Sequence, residues 1–130
     1  MSKAARAVAS ARLLLDHGDV DGACNRAYYA MFDAAKAALM GLAPGSDPVL
    51  TKTHSGLISA FGLHLVKAGG LPIALGKSLN RAHEIRQIAD YTGDEVSAGH
   101  AKDLVEQADI FVNSIDASIR AASSGGSQPT

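Results

Sequence analysis

Apolar residues recur at the spacing of an α-helix in five separate segments of the chain, and no stretch shows the alternation that is typical of a strand. The first segment places Ala4, Val8, Ala11 and Leu15 on one stripe, and the last keeps the same period for five turns. The predicted helices span about residues 3–17, 19–40, 53–68, 72–91 and 97–122. The pattern therefore predicts an all-α protein.

The second segment indicates how the helices are arranged. One of its faces consists mainly of alanines, and another carries Tyr28, Phe32 and Leu39, of which we assign Tyr28 and Phe32 to the core. A helix that is apolar on two sides is usually central in a bundle. We therefore predict an antiparallel up-and-down bundle of four to five helices over residues 1–122. The Ser- and Gly-rich residues 123–130 are predicted to form a disordered tail.

The predicted helix ends carry residues that suit them. Gly18 fits the left-handed position that closes a helix. Thr53 and Ser97 can cap the helices that follow them, and Pro72 suits a first turn, where its missing N–H does no harm.

The composition fits such a bundle. Of the 130 residues, 47% are apolar but only 5% are aromatic, so the core must be built from Ala, Leu, Ile and Val. Ala has the best helix propensity and lets helix axes approach closely. Cys24 is the one cysteine, which excludes an internal disulfide and leaves any metal site without a thiolate pair. We expect neither a metal nor another cofactor.

Charge and hydropathy limit the partners that the chain can have. A net charge of −1 argues against a protein that holds nucleic acid through bulk charge. Residues 1–86 nevertheless contain ten Lys and Arg against six Asp and Glu, whereas residues 87–130 contain two against seven. No apolar run approaches the ~20 residues needed to cross a membrane, and no signal peptide is visible, so a soluble cytoplasmic protein is expected.

Two short stretches imitate known motifs. Residues 70–78 resemble a phosphate-binding P-loop, but the spacer is five residues where the motif has four, and no strand precedes it. Residues 83–87 resemble a zinc-protease helix, with Gln87 at the place of the second histidine, and an amide is a poor zinc ligand. Both interpretations are rejected.

Arg86 interrupts the apolar stripe of the fourth helix and is followed one turn later by Asp90 and Tyr91. Arg before Asp is the weaker orientation of such a pair, and the helix dipole disfavours a carboxylate in a last turn. This unfavourable placement of Arg86 and Asp90 has two interpretations. One is a buried Arg–Asp–Tyr network that joins two helices. The other is a guanidinium that Asp90 orients to bind phosphate, with Tyr91 close by. The residues alone leave both interpretations open.

The second helix and the start of the third add further candidates. Asn25, Tyr29 and Phe32 lie along one face, with Arg26 beside them. Asn25 and Arg26 have no reason to be in a core, so we expect them to face the fourth helix or a subunit boundary. His54 stands at a helix N-terminus, where backbone N–H groups favour anions and a neutral imidazole. The remaining histidines are scattered.

The chain resembles the HEPN superfamily, and in particular its small stand-alone prokaryotic branch. The second helix has the pattern N-R-A-Y-Y-A-x-F, and the fourth ends in R-x-x-A-D-Y. The matching stretches are residues 22–32, 53–57, 79–81 and 86–91. The likeness covers roughly residues 4–120, in order and at fitting spacing.

The resemblance implies a bundle that dimerises through its motif helices and forms a cleft where the two copies of the motif meet. It also implies metal-independent endoribonuclease activity, which many HEPN proteins have, and a minimal nucleotidyltransferase partner in a toxin–antitoxin or defence pair. HEPN ribonucleases carry Arg followed after four to six residues by His. This chain has Asp90 and Tyr91 there, and His100 lies outside that window, so the base would be Asp90 or His54 from another helix.

The sequence thus predicts a homodimeric HEPN module that binds RNA or nucleotide phosphate and acts with a nucleotidyltransferase-type partner. One alternative is an active metal-independent endoribonuclease with His54 or Asp90 as base, and a second is a non-catalytic helical scaffold. The residues predicted to bind are Asn25, Arg26, Tyr29, Arg86 and Tyr91, and the catalytic candidates are Arg86, Asp90 and His54.

Overall fold

The computed structural model describes residues 2–45, 52–93 and 97–127, except for the side chains of Asp90 and of residues 124–127. The helical elements are α1 (Ser2–Asp16), α2 (Val20–Leu42), α3 (His54–Ala60), a π-helical segment (Phe61–Lys67), α4 (Ile73–Thr92) and α5 (Ala98–Ser127). No strand occurs within these ranges. The prediction of an all-α bundle is confirmed.

Helix α2 is the centre of the bundle. It contacts α1 and α5 most extensively, and it also touches α3, the π-helical segment and α4. Six of the seven alanines along it are fully buried, and small side chains at these positions let the neighbouring helices approach closely. These alanines are Ala23, Ala27, Ala30, Ala34, Ala35 and Ala38. The two apolar faces that the sequence indicated are therefore both covered by other helices.

A tight reversal joins α1 to α2. Gly18 has a φ of +83°, which an L side chain rarely adopts, so glycine is required here. The N–H of Gly18 donates to the carbonyl of Leu15 at 3.0 Å, and the N–H of Asp19 donates to that of Leu14 at 2.8 Å. The carboxylate of Asp19 then accepts from the N–H of Gly22 and caps α2. The predicted left-handed cap at Gly18 is confirmed.

The other predicted helix starts are close to their expected places. The hydroxyl of Thr53 accepts from the N–H of Gly56 at 3.0 Å, and that of Ser97 accepts from the N–H of His100 at 3.1 Å. Pro72 stands at the cap position, one residue before the first turn of α4. The P-loop look-alike ends inside α4, so its rejection is supported by the helical backbone at these residues.

The third predicted helix consists of two parts, because α3 passes into the π-helical segment. The extra residue in a π-helical turn changes the register, and both Phe61 and Leu65 face the core. Gly69 follows in a position with no room for a side chain, since a Cβ there would lie 2.7 Å from the carbonyl oxygen of His64 and 2.8 Å from that of Leu65. The close packing at Gly69 ends the π-helical segment and fixes where Pro72 and the start of α4 lie.

Helix α5 continues to Ser127, beyond residue 122, where the sequence predicted the domain to end. Adding residues to an existing helix is far less costly than starting one, which accounts for the longer helix. Residues 128–130 lie outside the described residues. Among the helices that the structure describes, none has the length and apolar character that a membrane-spanning segment requires.

Candidate functional site

A buried tyrosine on α2 joins two histidines from different helices. The ring of Tyr28 is only 1% exposed, and its hydroxyl oxygen lies 2.8 Å from Nδ1 of His54 and 3.0 Å from Nδ1 of His83. His54 is the first residue of α3 and is exposed, whereas His83 lies in the middle of α4 and is half-buried. Helices α2, α3 and α4 therefore meet at this hydroxyl.

This arrangement restricts the protonation of the two imidazoles. A hydroxyl has one hydrogen, so Tyr28 can donate to at most one of the two Nδ1 atoms. At least one of the histidines must therefore donate its own Nδ1–H to the phenol oxygen. In its neutral form that histidine carries no proton on Nε2, so Nε2 can act as a base.

Arg86 completes the group from one turn further along α4, on the same helix face as His83. Its Nη1 donates a hydrogen bond to Oδ1 of Asn25 on α2. Its Cζ lies 5.4 Å from the ring centre of Tyr28 and 5.8 Å from that of Tyr29, within the range of a cation–π interaction. An amide and two aromatic faces thus hold the guanidinium next to the histidines.

We call Asn25, Tyr28, His54, His83 and Arg86 the histidine–arginine cluster. Phe32 forms its apolar wall, with a ring centre 4.3 Å from that of His54 and 4.6 Å from that of Tyr28. Among the described residues, no three His, Cys, Asp or Glu side chains come together in a way that could hold a metal ion.

The surroundings of His54 favour its neutral form. Desolvation is the largest cause that lowers its pKa below the ordinary value of 6.5, followed by the nearby positive forms of His83, Lys36 and Arg86. A lowered pKa means that the imidazole loses its proton more readily in the folded chain. The neutral ring, which is the form that can accept a proton, therefore predominates at neutral pH.

Cys24 precedes Asn25 on α2 but is not a reactive group. The pKa of its thiol is raised to about 11, mainly by burial and then by the carboxylate of Asp21, while Arg86 partly opposes the change. Since the thiolate is the nucleophilic form, the buried thiol is inert near neutral pH.

The structure brings together three of the residues that the sequence proposed for the site, namely Asn25, His54 and Arg86. Tyr29 flanks Arg86 from the outer side. Arg26 is exposed and points into a different depression, between α1 and α2, because adjacent residues on a helix face different directions.

Tyr91, a further predicted site residue, is not part of the cluster. Tyr91 is 93% exposed and lines an open surface depression with Gln87, Ile88 and Thr92. The side chain of Asp90 lies outside the described residues, so its predicted contact with Arg86 stays a prediction.

The sequence missed His83 and the polar role of Tyr28. His83 attracted notice only as part of a rejected zinc motif, and Tyr28 was assigned to the core for its apolar ring. The available signal was spacing: His83 lies three residues before Arg86, and Tyr28 lies three residues after Asn25. Each pair shares a helix face, so a contact between Asn25 and Arg86 also brings the other two side chains together.

The fold and the site define a small helical-bundle domain whose central helix shares a histidine–arginine cluster with two of its neighbours. The sequence matches the profile of the HEPN domain over residues 1–118. The chain therefore belongs to the HEPN family.

Several relatives have similar sequences over most of their length. The "UPF0332 protein glr0978" of Gloeobacter violaceus is 39% identical over 114 residues, which cover 86% of each chain. The "Putative toxin MJ0605" of Methanocaldococcus jannaschii is 32% identical over 87% of this chain and 81% of its own. A second protein of that organism, "Putative toxin MJ0142", is 30% identical over 87% of this chain and 74% of its own.

Proposed function

We propose that this HEPN chain is a toxin-type module that binds the phosphate of RNA or of a nucleotide at the histidine–arginine cluster. The observation that carries the proposal is the position of Arg86, held by the amide of Asn25 and by two tyrosine rings beside two histidines. The toxin assignment follows the names of two of its relatives.

The chemistry of the cluster suits a phosphate group. A guanidinium offers five N–H donors in a planar fork that matches phosphate oxygens, and imidazole N–H groups add donors of the same kind. Arg86 is only half-buried, so a ligand can reach it from solvent.

Arg86→Gln tests the proposal directly. We expect the affinity for single-stranded RNA to fall by about tenfold or more, as for the loss of a charged hydrogen-bonded contact of about 1.5–3 kcal/mol. We expect the unfolding free energy to change by much less than the roughly 3–5 kcal/mol that breaking a fully buried ion pair costs. Fluorescence anisotropy and urea denaturation measure the two quantities.

Arg81→Gln is the matched control for this test, because Arg81 is exposed on the same helix. We expect it to leave RNA affinity nearly unchanged. An Arg86→Gln chain that binds RNA as tightly as the wild type but unfolds much more easily would favour the scaffold alternative and contradict the proposal.

A second candidate function, metal-independent RNA cleavage, is favoured by the hydroxyl of Tyr28 between two imidazoles. In this mechanism His54 donates its Nδ1–H to Tyr28, and its bare Nε2 takes the proton of an RNA 2′-hydroxyl. The 2′-oxygen forms a bond to phosphorus while the bond from phosphorus to the 5′-oxygen breaks. The leaving 5′-oxygen takes a proton from the protonated form of His83, and Arg86 stabilises the charge on the phosphorus oxygens.

The products of this step are a 2′,3′-cyclic phosphate and a free 5′-hydroxyl. Water then returns a proton to His83 and removes one from His54, which restores the starting state. Tyr28 acts as a positioning residue, since it sets which nitrogen of His54 carries the proton. This candidate keeps His54 as the base that the sequence suggested and adds His83 as the acid.

We also propose that the chain forms a homodimer through the C-terminal half of α4. Ile88 and Tyr91 are both exposed there and line an open, mainly apolar depression.

Ile88→Glu should convert the dimer to a monomer in sedimentation equilibrium, because it places a charge in the contact. Ile73→Glu, at an equally exposed position at the other end of α4, should leave the dimer intact. A wild-type chain that sediments as a monomer would contradict the proposal.

A nucleotidyltransferase-type protein partner remains a prediction that rests on the resemblance to HEPN proteins of toxin–antitoxin and defence pairs. The product of a neighbouring gene that copurifies with this chain and carries nucleotidyltransferase motifs would support it.

A further inference from the structure

A second basic depression lies between α1 and α2 and shares Tyr29 with the surroundings of Arg86. We call it the α1–α2 pocket. It has a volume of about 300 Å³, and its polar lining residues are Lys3, Arg6, Ser10, Arg26, Tyr29 and Asp33. The chemistry of the histidine–arginine cluster does not involve this pocket.

The α1–α2 pocket concentrates positive charge on a chain whose net charge is −1. It contains three cationic side chains and one carboxylate, Asp33, whose Oδ1 lies 3.8 Å from Nζ of Lys3. Arg6 and Arg26 are exposed, and neither forms an ion pair with any residue that the structure describes. The pocket therefore keeps an excess positive charge that an anion can neutralise.

Tyr29 connects the α1–α2 pocket to the histidine–arginine cluster. Its ring centre lies 5.8 Å from Cζ of Arg86, and the same side chain lines the pocket. The ring is also partly exposed to solvent. An exposed aromatic ring among cationic side chains is the kind of arrangement by which proteins hold single-stranded nucleic acid, with a base stacked on the ring and phosphates at the cations.

We propose that the α1–α2 pocket is a second phosphate subsite, and that the ligand of this protein is a single-stranded RNA segment that spans both sites. One phosphate lies at Arg86, a base stacks on Tyr29, and a neighbouring phosphate lies between Arg6 and Arg26. This inference rests on the proposed function, because it takes Arg86 as the first phosphate site. It narrows the ligand class from any nucleotide to an oligonucleotide.

Salt dependence of binding gives a sharp test. Each phosphate contact with a single strand contributes about 0.7 to the slope of log affinity against log salt concentration. The double variant Arg6→Gln/Arg26→Gln should therefore lower that slope by about 0.7 to 1.4 and weaken binding about tenfold near 0.1 M KCl. The ligand is a fluorescent oligonucleotide of about eight nucleotides, 2′-O-methylated so that it cannot be cleaved.

The matched control is Lys77→Gln/Arg81→Gln, which removes the same charge from the depression between α4 and α5. It should leave the slope unchanged within about 0.3, less than half of one phosphate contact. Adenosine monophosphate, followed by NMR at the Arg86 site, should bind that site equally well in the wild type and in the Arg6→Gln/Arg26→Gln chain, because the site is intact in both.

The outcomes separate this inference from the proposed function. If Arg86→Gln weakens RNA binding but Arg6→Gln/Arg26→Gln changes neither affinity nor slope, the second subsite is wrong and the proposed function remains. The second subsite is also wrong if the Arg6→Gln/Arg26→Gln chain loses affinity for an acidic peptide instead of for RNA. If neither variant alters binding of the oligonucleotide, both proposals fail.

Discussion

A chain that carries His83→Asn is expected to cleave single-stranded RNA about a hundred to ten thousand times more slowly than the wild type, the usual contribution of a general acid or base. In the proposed cleavage step His83 gives the proton to the leaving 5′-oxygen, and asparagine cannot do so. RNA binding should change little, since Arg86 remains. The measurement is single-turnover cleavage in the presence of EDTA.

The pH dependence of the same reaction distinguishes chemistry from a structural effect. Because the pKa of His54 is lowered, the fall in the wild-type rate that accompanies protonation of His54 should occur at a lower pH than for an ordinary imidazole. The positive form of His83 is one cause of the lowered pKa. In His83→Asn this cause is gone, so the decline should begin at a higher pH.

His17→Asn is the control, because His17 stands at the end of α1, away from the cluster. It should change neither the rate nor the pH profile. If the wild-type chain leaves RNA intact at all protein concentrations in EDTA, the cleavage candidate is wrong and binding alone remains. A His83→Asn chain with the wild-type rate would exclude His83 as the acid.

Phe61→Ala is expected to lower the free energy of unfolding by about 3–5 kcal/mol, the usual cost of removing a fully buried phenylalanine ring. Phe61 is completely buried at the start of the π-helical segment, and its ring centre lies 5.5 Å from that of Phe111 on α5. The substitution leaves a cavity between two helices that the backbone can close only in part. Urea denaturation followed by circular dichroism measures the loss.

Leu63→Ala provides the comparison within the same π-helical segment. Leu63 is 54% exposed, so its truncation should cost well under half as much. Equal losses for the two variants would mean that Phe61 does not pack against α5. A Phe61→Ala/Phe111→Ala double variant that loses less than the sum of the two single variants would confirm the contact between the rings.

The helices could be predicted from the sequence because their signals are local. The periodic apolar residues of α2 and α5, the glycine at residue 18 and the capping hydroxyls at residues 53 and 97 all act within a few residues of their own position. The π-helical segment was not predicted, since the apolar pattern around Phe61 and Leu65 also suits an ordinary α-helix. The change in register is visible only in the backbone hydrogen bonds, such as that from the N–H of Ala68 to the carbonyl of Leu63, five residues earlier.

The candidate site was only partly predictable because its contacts join distant parts of the chain. Tyr28 lies 26 residues from His54 and 55 residues from His83, and nothing local to any of these positions indicates the contact. The sequence grouped Arg26 with Asn25 because they are neighbours in the chain. Neighbours on a helix point in different directions, and Asn25 faces α4 while Arg26 faces α1.

The buried sulfur of Cys24 can report how often the helical bundle opens. A maleimide reagent should reach this largely buried atom mainly in molecules whose central helix has moved away from its neighbours, and the chain holds no other thiol to compete. The labelling rate therefore counts such openings without any engineered tag. Since Asn25 is the next residue along the helix, an RNA ligand that clamps the histidine–arginine cluster should slow the labelling in proportion to its occupancy.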